Sequence, residues 1–215
     1  MPEIKIAPSI LSAKKEKLQE EVNEIENVAD LIHVDIMDGK FVPPTTFRPE
    51  EIKAVNSKLP KDVHLMVEHP IKEGFIDDYA DAGAAIITIH EECKDDIGEA
   101  FKLIRSKGIK VGISINPPSP LEKIKKYIDD VDMILIMSVN PGYAGQKFIS
   151  DVLPKVEELR KLKPDLDIEI DGGITKDTIG QAAKAGANVF VAGSAVFGKE
   201  DRAAEIKKLR EAIND

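Results

Sequence analysis

Short apolar segments rich in β-branched residues recur along the chain, and a longer charged segment follows each of them. The eight apolar segments are IKIAPSI near residue 4, LIHVDI near 31, DVHLMV near 62, AIITIH near 85, KVGISI near 110, DMILIM near 132, DIEIDG near 167 and NVFVAG near 188. These runs are nearly continuous in apolar residues, which is typical of parallel strands covered on both faces. The pattern therefore predicts eight buried, parallel strands.

The charged segments carry apolar residues at helical spacing, as Leu18, Val22 and Ile25 do in the first of them. Three predicted strands follow a glycine of the kind that ends a helix, at Gly83, Gly108 and Gly186. Eight strand–helix repeats without a linker predict an α/β fold, a single closed (β/α)8 TIM barrel over residues 1–215. An open, doubly wound sheet is the alternative, but it rarely uses so many uniform repeats in so short a chain.

Composition narrows the partners and the location. The 215 residues are 42% hydrophobic, which is enough for a substantial core, and the formal net charge of −9 argues against nucleic acid or an anionic membrane surface as a partner. No apolar run is long enough to span a membrane, and the N-terminus does not resemble a signal peptide. The single cysteine, Cys93, permits no internal disulfide and suits a reducing compartment. A cytoplasmic location is expected.

Four ionisable residues stand at the ends of three apolar segments, and they are His33 and Asp35 on the second, His64 on the third and Asp171 on the seventh. Functional groups gather at the C-terminal ends of barrel strands, so these side chains are expected to meet. Two imidazoles and two carboxylates can bind a divalent metal ion, and the two carboxylates can also act as acid and base. Together they could remove a proton beside a carbonyl on one face and return one on the other. The residues therefore predict epimerase chemistry.

Glycine clusters follow the last three predicted strands. They read N-P-G-Y-A-G-Q at 140–146, D-G-G at 171–173 and A-G-S at 192–194. Glycine lets backbone N–H groups approach an anion closely, and the loops after strands seven and eight are the usual phosphate site of this fold. Three consecutive clusters indicate a phosphorylated small molecule as the ligand.

These residues lie in motifs that resemble those of the ribulose-phosphate 3-epimerase family. The motifs are A-P-S-I-L-S, H-V-D-I-M-D-G-x-F-V-P, D-V-H-L-M, M-S-V-N-P-G, G-Q-K-F, D-G-G-I and V-A-G-S-A-V-F. They occur in order from residue 7 to residue 197 and cover essentially the whole predicted domain. The resemblance implies a barrel of the ribulose-phosphate-binding type.

The resemblance also implies a role for each matching residue. One divalent metal ion, Zn²⁺, Fe²⁺, Mn²⁺ or Co²⁺, would be bound by His33, Asp35, His64 and Asp171. Asp35 and Asp171 would be the catalytic acid/base pair. The sugar would contact Ser9, His64 and a thioether cap of Met37, Met66 and Met137. The phosphate would be held by Gly142, Tyr143, Ala144, Gly145, Gly172, Gly173, Gly193 and Ser194.

The implied reaction interconverts D-ribulose 5-phosphate and D-xylulose 5-phosphate, as in the pentose phosphate pathway. One carboxylate would take the C3 proton to give an enediolate, and the other would return a proton to the opposite face. The partner would thus be a small phosphorylated ketose. A homo-oligomer is expected, although the sequence does not indicate which face pairs.

The chain departs from the family pattern at Pro44, where Asn is common, at Arg48, where Gly is common, and at Ala144, where Gly is usual. The altered loop leaves a hexulose phosphate, such as D-allulose 6-phosphate, as an alternative substrate. Related decarboxylating barrels carry D-x-K-x-x-D after strand two, but this segment reads D-I-M-D-G and lacks the lysine. A non-catalytic phosphosugar-binding barrel is a third alternative, against which the retention of both aspartates argues.

Three further polar residues are assigned structural roles. His90 is interpreted as a core or hydrogen-bonded histidine. His69, before Pro70, is interpreted as a loop residue, and Asp38 as a turn-former beside Gly39.

Overall fold

A computed structural model describes residues 2–213, and within them eight strands form one sheet. The strands are β1 (Lys5–Pro8), β2 (Ile32–Met37), β3 (Lys61–Met66), β4 (Ala84–His90), β5 (Lys110–Ile115), β6 (Met133–Met137), β7 (Asp167–Asp171) and β8 (Val189–Ala192). They pair in the order β1-β8-β7-β6-β5-β4-β3-β2, and every pairing is parallel. The eight predicted strands are confirmed.

The sheet closes on itself at the seam between β1 and β2. A single parallel bridge joins Ser9 to His33 there, and Ser9 Oγ donates a hydrogen bond of 2.5 Å to Asp35 Oδ2. This nearly closed sheet, alternating with helices, is the predicted (β/α)8 TIM barrel.

Helices follow the strands around the outside of the barrel. They are α1 (Leu18–Ile25), α2 (Pro49–Ala54), α3 (Phe75–Asp81), α4 (Ile97–Ser106), α5 (Glu122–Lys125), α6 (Leu153–Leu162), α7 (Ile179–Ala185), α8 (Ser194–Phe197) and α9 (Arg202–Ala212). Short 3-10 helices cover Ile10–Ser12, Lys15–Lys17 and Ser150–Val152. The three predicted helix-ending glycines have φ values of 89°, 74° and 113°, as that role requires. No helix within residues 2–213 is sufficiently long and apolar to cross a membrane.

The main apolar core lies between the sheet and the helices. Val34 and Ile36 of β2 are buried in this layer, and Val22 and Ile25 of α1 are buried with them. Burying one such side chain stabilises the fold by roughly 1.5–3 kcal/mol. Successive residues of a strand face opposite sides of the sheet. Every second residue of each strand therefore faces the helices, and the residues between them face the barrel interior.

The barrel interior is apolar in one layer and polar in others. A small separate cluster contains Ala7, Met133 and Val189. The other inward positions include buried polar side chains on β2, β3, β4, β5 and β7, namely His33, Asp35, Asp62, His64, Thr88, His90, Ser114 and Glu169. Buried charged groups are costly unless they are paired, so this interior indicates a functional site.

Candidate active site

Strand register explains how the candidate residues meet. In the pairing of β2 with β3, His33 lies opposite Asp62, Asp35 opposite His64, and Met37 opposite Met66. Residues two apart on a strand share a face, so these three pairs form successive levels of the barrel interior. In the pairing of β6 with β7, Leu135 lies opposite Glu169 and Met137 opposite Asp171.

One detail of the sequence prediction is wrong. His33 and Asp35 are the second and fourth residues of β2, and His64 is the fourth residue of β3, so they are not at the strand ends. Both strands continue for two more residues because Met37 and Met66 still pair. The histidines are therefore completely buried, whereas Asp171, the last residue of β7, is partly exposed.

The four predicted metal ligands converge on one point. Each offers one nitrogen or oxygen atom, and these four atoms lie within 4.8 Å of one another. Asp35 Oδ1 lies 3.3 Å from His33 Nε2 and 3.2 Å from His64 Nδ1, and His64 Nδ1 lies 3.9 Å from Asp171 Oδ2. Residues from three strands thus form one cluster of two imidazoles and two carboxyl groups.

Two further carboxyl groups contact His33 at its other ring nitrogen. Its Nδ1 lies 2.7 Å from Asp62 Oδ2 and 3.5 Å from Glu169 Oε1, and all three side chains are completely buried. Burial opposes a charged imidazole, but the carboxylates of Asp35, Asp62 and Glu169 outweigh it and raise the pKa of His33 well above 6.5. Burial and the Asp62 carboxylate also raise the pKa of Glu169. The surroundings of His33 therefore favour positive charge, whether it comes from a proton or from a metal ion.

A second histidine fixes His64. His64 Nε2 lies 2.8 Å from His90 Nε2, and His90 Nδ1 lies 3.1 Å from Glu92 Oε2. Burial lowers the pKa of His64 to about 4, so this ring is neutral near pH 7. His90 is hydrogen-bonded, as the sequence analysis expects, and it is also in direct contact with the candidate site.

The two aspartates of the cluster have opposite pKa shifts. Burial raises the pKa of Asp35, but the rings of His33 and His64 outweigh it and hold that pKa well below its ordinary range. Burial, helped by the negative charge of Asp35, raises the pKa of Asp171 to about 7. Near neutral pH, one carboxyl is therefore ionised while the other can carry a proton.

A cavity of about 490 Å³ opens above the cluster. Both aspartates line it, together with every residue predicted to contact sugar or phosphate except His64, namely Ser9, Met37, Met66, Met137, Gly142, Tyr143, Ala144, Gly145, Gly172, Gly173, Gly193 and Ser194. His33 and His64 are not among its lining residues. The cavity is therefore formed by the β1, β2, β3, β6, β7 and β8 sides of the barrel mouth.

The glycine clusters form one end of the cavity. Gly172 and Gly173 have φ values of 122° and 65°, and a Cβ on Gly173 would lie 2.5 Å from the backbone nitrogen of Phe148. No residue other than glycine has a positive φ within residues 2–213, so Ala144 occupies an ordinary backbone conformation. The alanine that departs from the family pattern therefore fits its loop without strain.

The altered loop after β2 lies beside the glycine loop. Val42 Cβ and Pro44 Cδ would lie 3.4 Å and 3.8 Å from a Cβ on Gly142. Arg48 precedes α2, and its side chain is largely exposed and 3.6 Å from Glu51. Val42 also packs against Met37 and Met66. Neither departure in this loop lines the cavity, but Pro44 borders the glycine loop and Arg48 does not.

Comparison with known proteins decides the family. A sequence model described as the ribulose-phosphate 3 epimerase family matches residues 5–197. The chain belongs to the ribulose-phosphate 3-epimerase family. Ribulose-phosphate 3-epimerase of Bacillus subtilis is 45% identical over 96% of this chain and 98% of its own length. The enzymes of that name from Schizosaccharomyces pombe and Escherichia coli are 41% and 40% identical, and each match covers 99% of this chain and at least 95% of the relative.

Solved structures agree on the fold. A 3-hexulose-6-phosphate synthase superposes with a TM-score of 0.72 at 22% identity, covering 98% of this chain and all of the other. A tryptophan synthase α-subunit mutant from Pyrococcus furiosus gives a TM-score of 0.73 at 17% identity, covering 100% and 99% of the two chains. At these identities the likeness concerns the barrel alone. This chain is an epimerase, because ribulose-phosphate 3-epimerases match it at 40–45% identity over nearly the full length of both chains.

The donor set of this epimerase fits a divalent cation. His33 Nε2 is buried and has no hydrogen-bond partner within residues 2–213, and it faces Asp35 at 3.3 Å. His64 is neutral, so a lone pair of its ring can also serve as a ligand. Two imidazole nitrogens and two carboxylate oxygens within one small volume can hold such an ion.

Two buried acids and one partly exposed acid next to the cluster do not feature among the predicted site residues. Asp62 and Glu169 lie two residues before His64 and Asp171, and Glu92 lies two residues after His90. A spacing of two within a strand places residues on one face, so this period was the signal that could have revealed Asp62 and Glu169. An acidic residue inside an otherwise apolar strand is a second signal.

Asp38 and His69 have the structural roles that the sequence predicts for them. Asp38 Oδ1 accepts hydrogen bonds of 2.8 Å from the backbone N–H groups of Lys40 and Phe41, which makes Asp38 a turn-former. His69 lies after β3, and its Nδ1 is 2.9 Å from Asp95 Oδ1. Neither residue lines the cavity.

Proposed function

We propose that this epimerase interconverts D-ribulose 5-phosphate and D-xylulose 5-phosphate by moving the C3 proton between Asp35 and Asp171, with residues 1–215 forming its catalytic domain. The observation that carries the proposal is the pair of carboxyl groups that face one cavity with opposite pKa shifts. Inversion at a carbon needs a base on one face and an acid on the other, and a pair of carboxyls held in different protonation states provides both.

In one direction, the Asp35 carboxylate takes the C3 proton and the C–H electron pair moves into the substrate to give an enediolate. Asp171 then donates its proton to C3 from the opposite face, which completes the inversion. Asp35 is left protonated and Asp171 ionised, which is the correct starting state for the reverse reaction. Because the two carboxyls are coupled, a pH–rate profile would report the pair and not either residue alone.

His33, Asp35, His64 and Asp171 would hold one divalent cation, which when bound would stabilise the negative charge that develops on the substrate oxygens. Zn²⁺, Fe²⁺, Mn²⁺ and Co²⁺ are all compatible with this donor set. Ser9 would keep Asp35 oriented through its 2.5 Å hydrogen bond and would border the sugar. The residues Met37, Met66 and Met137 line the same cavity and would exclude water from the reacting carbons.

The substrate phosphate would lie at the glycine end of the cavity. Backbone N–H groups of Gly142, Tyr143, Ala144, Gly145, Gly172, Gly173, Gly193 and Ser194 would hold it. The distance of this end from the acid/base pair would set the length of the ketose that fits. A cytoplasmic location and a homo-oligomeric assembly remain predictions.

The test is an epimerisation assay with D-ribulose 5-phosphate and D-allulose 6-phosphate in parallel. Protein purified without chelator is compared with the same protein after metal stripping and after addition of each of the four cations. We expect turnover that favours the pentulose and falls by at least about 100-fold on stripping, within the range attributed to Lewis-acid stabilisation. Preference for the hexulose would assign the specificity to the loop that carries Pro44, and absence of turnover with either sugar would contradict the proposal.

A further inference from the structure

The His64 ring is held on its far side by a chain of hydrogen bonds that leads away from the cluster. His64 Nε2 meets His90 Nε2 at 2.8 Å, and His90 Nδ1 meets Glu92 Oε2 at 3.1 Å. Both imidazoles are completely buried, and the ring of Phe41 packs on His90 with centroids 4.8 Å apart. These hydrogen bonds therefore join the candidate cation site to the carboxylate of Glu92, just after β4.

Glu92 determines the direction of its own hydrogen bonds, because a carboxylate can only accept. Its Oε1 accepts from Ser119 Oγ and, at 3.0 Å, from the backbone N–H of Asn116. Its Oε2 accepts from His90, so His90 carries its proton on Nδ1. A neutral imidazole with Nδ1–H has a lone pair on Nε2. The Nε2 atom of His90 therefore accepts a hydrogen bond from Nε2–H of His64.

Two carboxylates favour different tautomers of His64. Asp35 Oδ1 lies 3.2 Å from His64 Nδ1, and without a cation this carboxylate favours a proton on Nδ1. Glu92, acting through His90, favours the proton on Nε2. The lone pair of Nδ1 then faces Asp35 and, at 3.9 Å, Asp171 Oδ2, which is favourable when a cation lies among them. The opposite tautomer would place an N–H group there and would remove this nitrogen as a ligand.

We propose that Glu92 and His90 are positioning residues that hold His64 in the tautomer able to bind a divalent cation through Nδ1. The inference rests on the cation site of the proposed function. A carboxylate that orients a metal-binding histidine usually does so directly, as Asp62 does for His33 at 2.7 Å. For His64 the same control passes through a second imidazole.

Glu92→Gln tests this direction while keeping the size of the side chain. The amide oxygen has to remain with the donors of Ser119 and Asn116, which turns the amide NH2 group toward His90. His90 must then accept on Nδ1 and donate on Nε2, which drives the proton of His64 to Nδ1. Glu91→Gln is the matched control, since it makes the same charge change at a residue that pairs with Lys123 at 3.0 Å and not with His90.

The first measurement is the affinity of the full-length protein for Co²⁺, by competition with a coloured chelator, together with the visible spectrum of bound cobalt. We expect Glu92→Gln to bind Co²⁺ about 10–100-fold more weakly than wild type, the usual effect of losing an outer partner of a metal-binding histidine. The Glu91→Gln variant should match the wild-type affinity and spectrum. His90→Leu should lose as much affinity as Glu92→Gln, whereas His90→Gln should recover most of it, because its amide oxygen can accept from His64.

The second measurement needs no metal. The chain has only four histidines, so nitrogen-15 NMR of the metal-free protein can report the protonated nitrogen of each ring. We expect a larger share of His64 rings with the proton on Nε2, and of His90 rings with the proton on Nδ1, in wild type than in Glu92→Gln. Thermal unfolding of the metal-free variants checks that each one is folded.

The outcomes separate the two proposals. Equal Co²⁺ affinity of Glu92→Gln and Glu91→Gln, with unchanged tautomers, overturns the positioning role and leaves the cation site intact. If His64→Ala binds Co²⁺ as tightly as wild type, the cation site fails, and the positioning role for that site fails with it. Weaker binding and a tautomer shift of His64 toward Nδ1–H in Glu92→Gln, but not in Glu91→Gln, support the inference.

Discussion

The two ends of the cavity are built in different ways. The acid end uses side chains on strands β2, β3 and β7, and its histidines are completely buried. The glycine end uses the loops after β6, β7 and β8, whose glycines line the cavity with their backbone. At the acid end the identity of each side chain matters, and at the glycine end the conformation of the backbone matters.

The departures from the family pattern illustrate this difference. Ala144 replaces a usual glycine in the glycine loop, yet its φ is not in the left-handed region, so the substitution leaves the backbone free to adopt the same path. At the acid end, by contrast, the four candidate ligands and their buried partners form one hydrogen-bonded and charge-coupled group. A change of any one of them leaves a buried charge or polar atom without its partner.

The comparison predicts the largest effect for an isosteric change at the acid end. Asp35→Asn and Asp171→Asn should each lower turnover of D-ribulose 5-phosphate by about a thousandfold or more, since acid–base catalysis contributes roughly 10²–10⁴-fold and each variant removes one of two obligatory groups. Turnover is measured with both epimers as substrate. The fold should persist, as thermal unfolding can verify.

Solvent exchange provides a control for this prediction. In heavy water, a variant that keeps one working carboxyl can still exchange the C3 proton of the epimer that presents its proton to that carboxyl. We therefore expect residual exchange in opposite epimers for the two variants. Rates like wild type in either variant would contradict the two-base mechanism.

At the glycine end, two substitutions in neighbouring loops should differ in size of effect. Gly173→Ala places a Cβ 2.5 Å from the backbone nitrogen of Phe148 at a φ of 65°, so the loop has to move. We expect KM to rise about tenfold, which corresponds to about 1.4 kcal/mol. Ala144→Gly adds only flexibility to its loop, and it should change KM by less than about twofold.

Steady-state kinetics with the phosphorylated ketose distinguish these cases, and kcat should change less than KM in both variants. A Gly173→Ala enzyme with the KM of wild type would show that the loop after β7 does not contact the phosphate. A large effect of Ala144→Gly would mean that the glycine end depends on a rigid loop to bind the phosphate.

Much of this architecture could be predicted from the sequence. Eight nearly continuous apolar runs predicted eight buried parallel strands, because strands covered on both faces lose the usual alternation. The four cluster residues were predictable because two histidines and two aspartates interrupt such runs, where an unpaired polar group would be costly. Glycine clusters after three consecutive strands predicted the loops that line the cavity.

The remaining features depend on contacts between distant segments. Glu92 looks like any charged loop residue in the sequence, and its role depends on hydrogen bonds to Ser119 and Asn116 after β5. The levels within the barrel depend on strand register, which the sequence predicts only to within a few residues. The same uncertainty explains why His33 was predicted at the end of β2 and is its second residue.

The smallest predicted effect concerns acid stability and tests the partner of His90. Burial raises the pKa of Glu92, but hydrogen bonds from His90, Ser119 and the Asn116 backbone outweigh it and lower the pKa from 4.5 to about 2. A pKa lowered in the folded state stabilises the protein above about pH 4.5, and this contribution is lost as the pH falls toward 2. The Tm of the metal-free wild-type protein should therefore exceed that of Glu92→Gln at pH 6, and the difference should shrink between pH 4.5 and 2. Glu91→Gln should follow wild type throughout, and a Tm difference between wild type and Glu92→Gln that does not change with pH would mean that Glu92 is not held as a carboxylate by these hydrogen bonds.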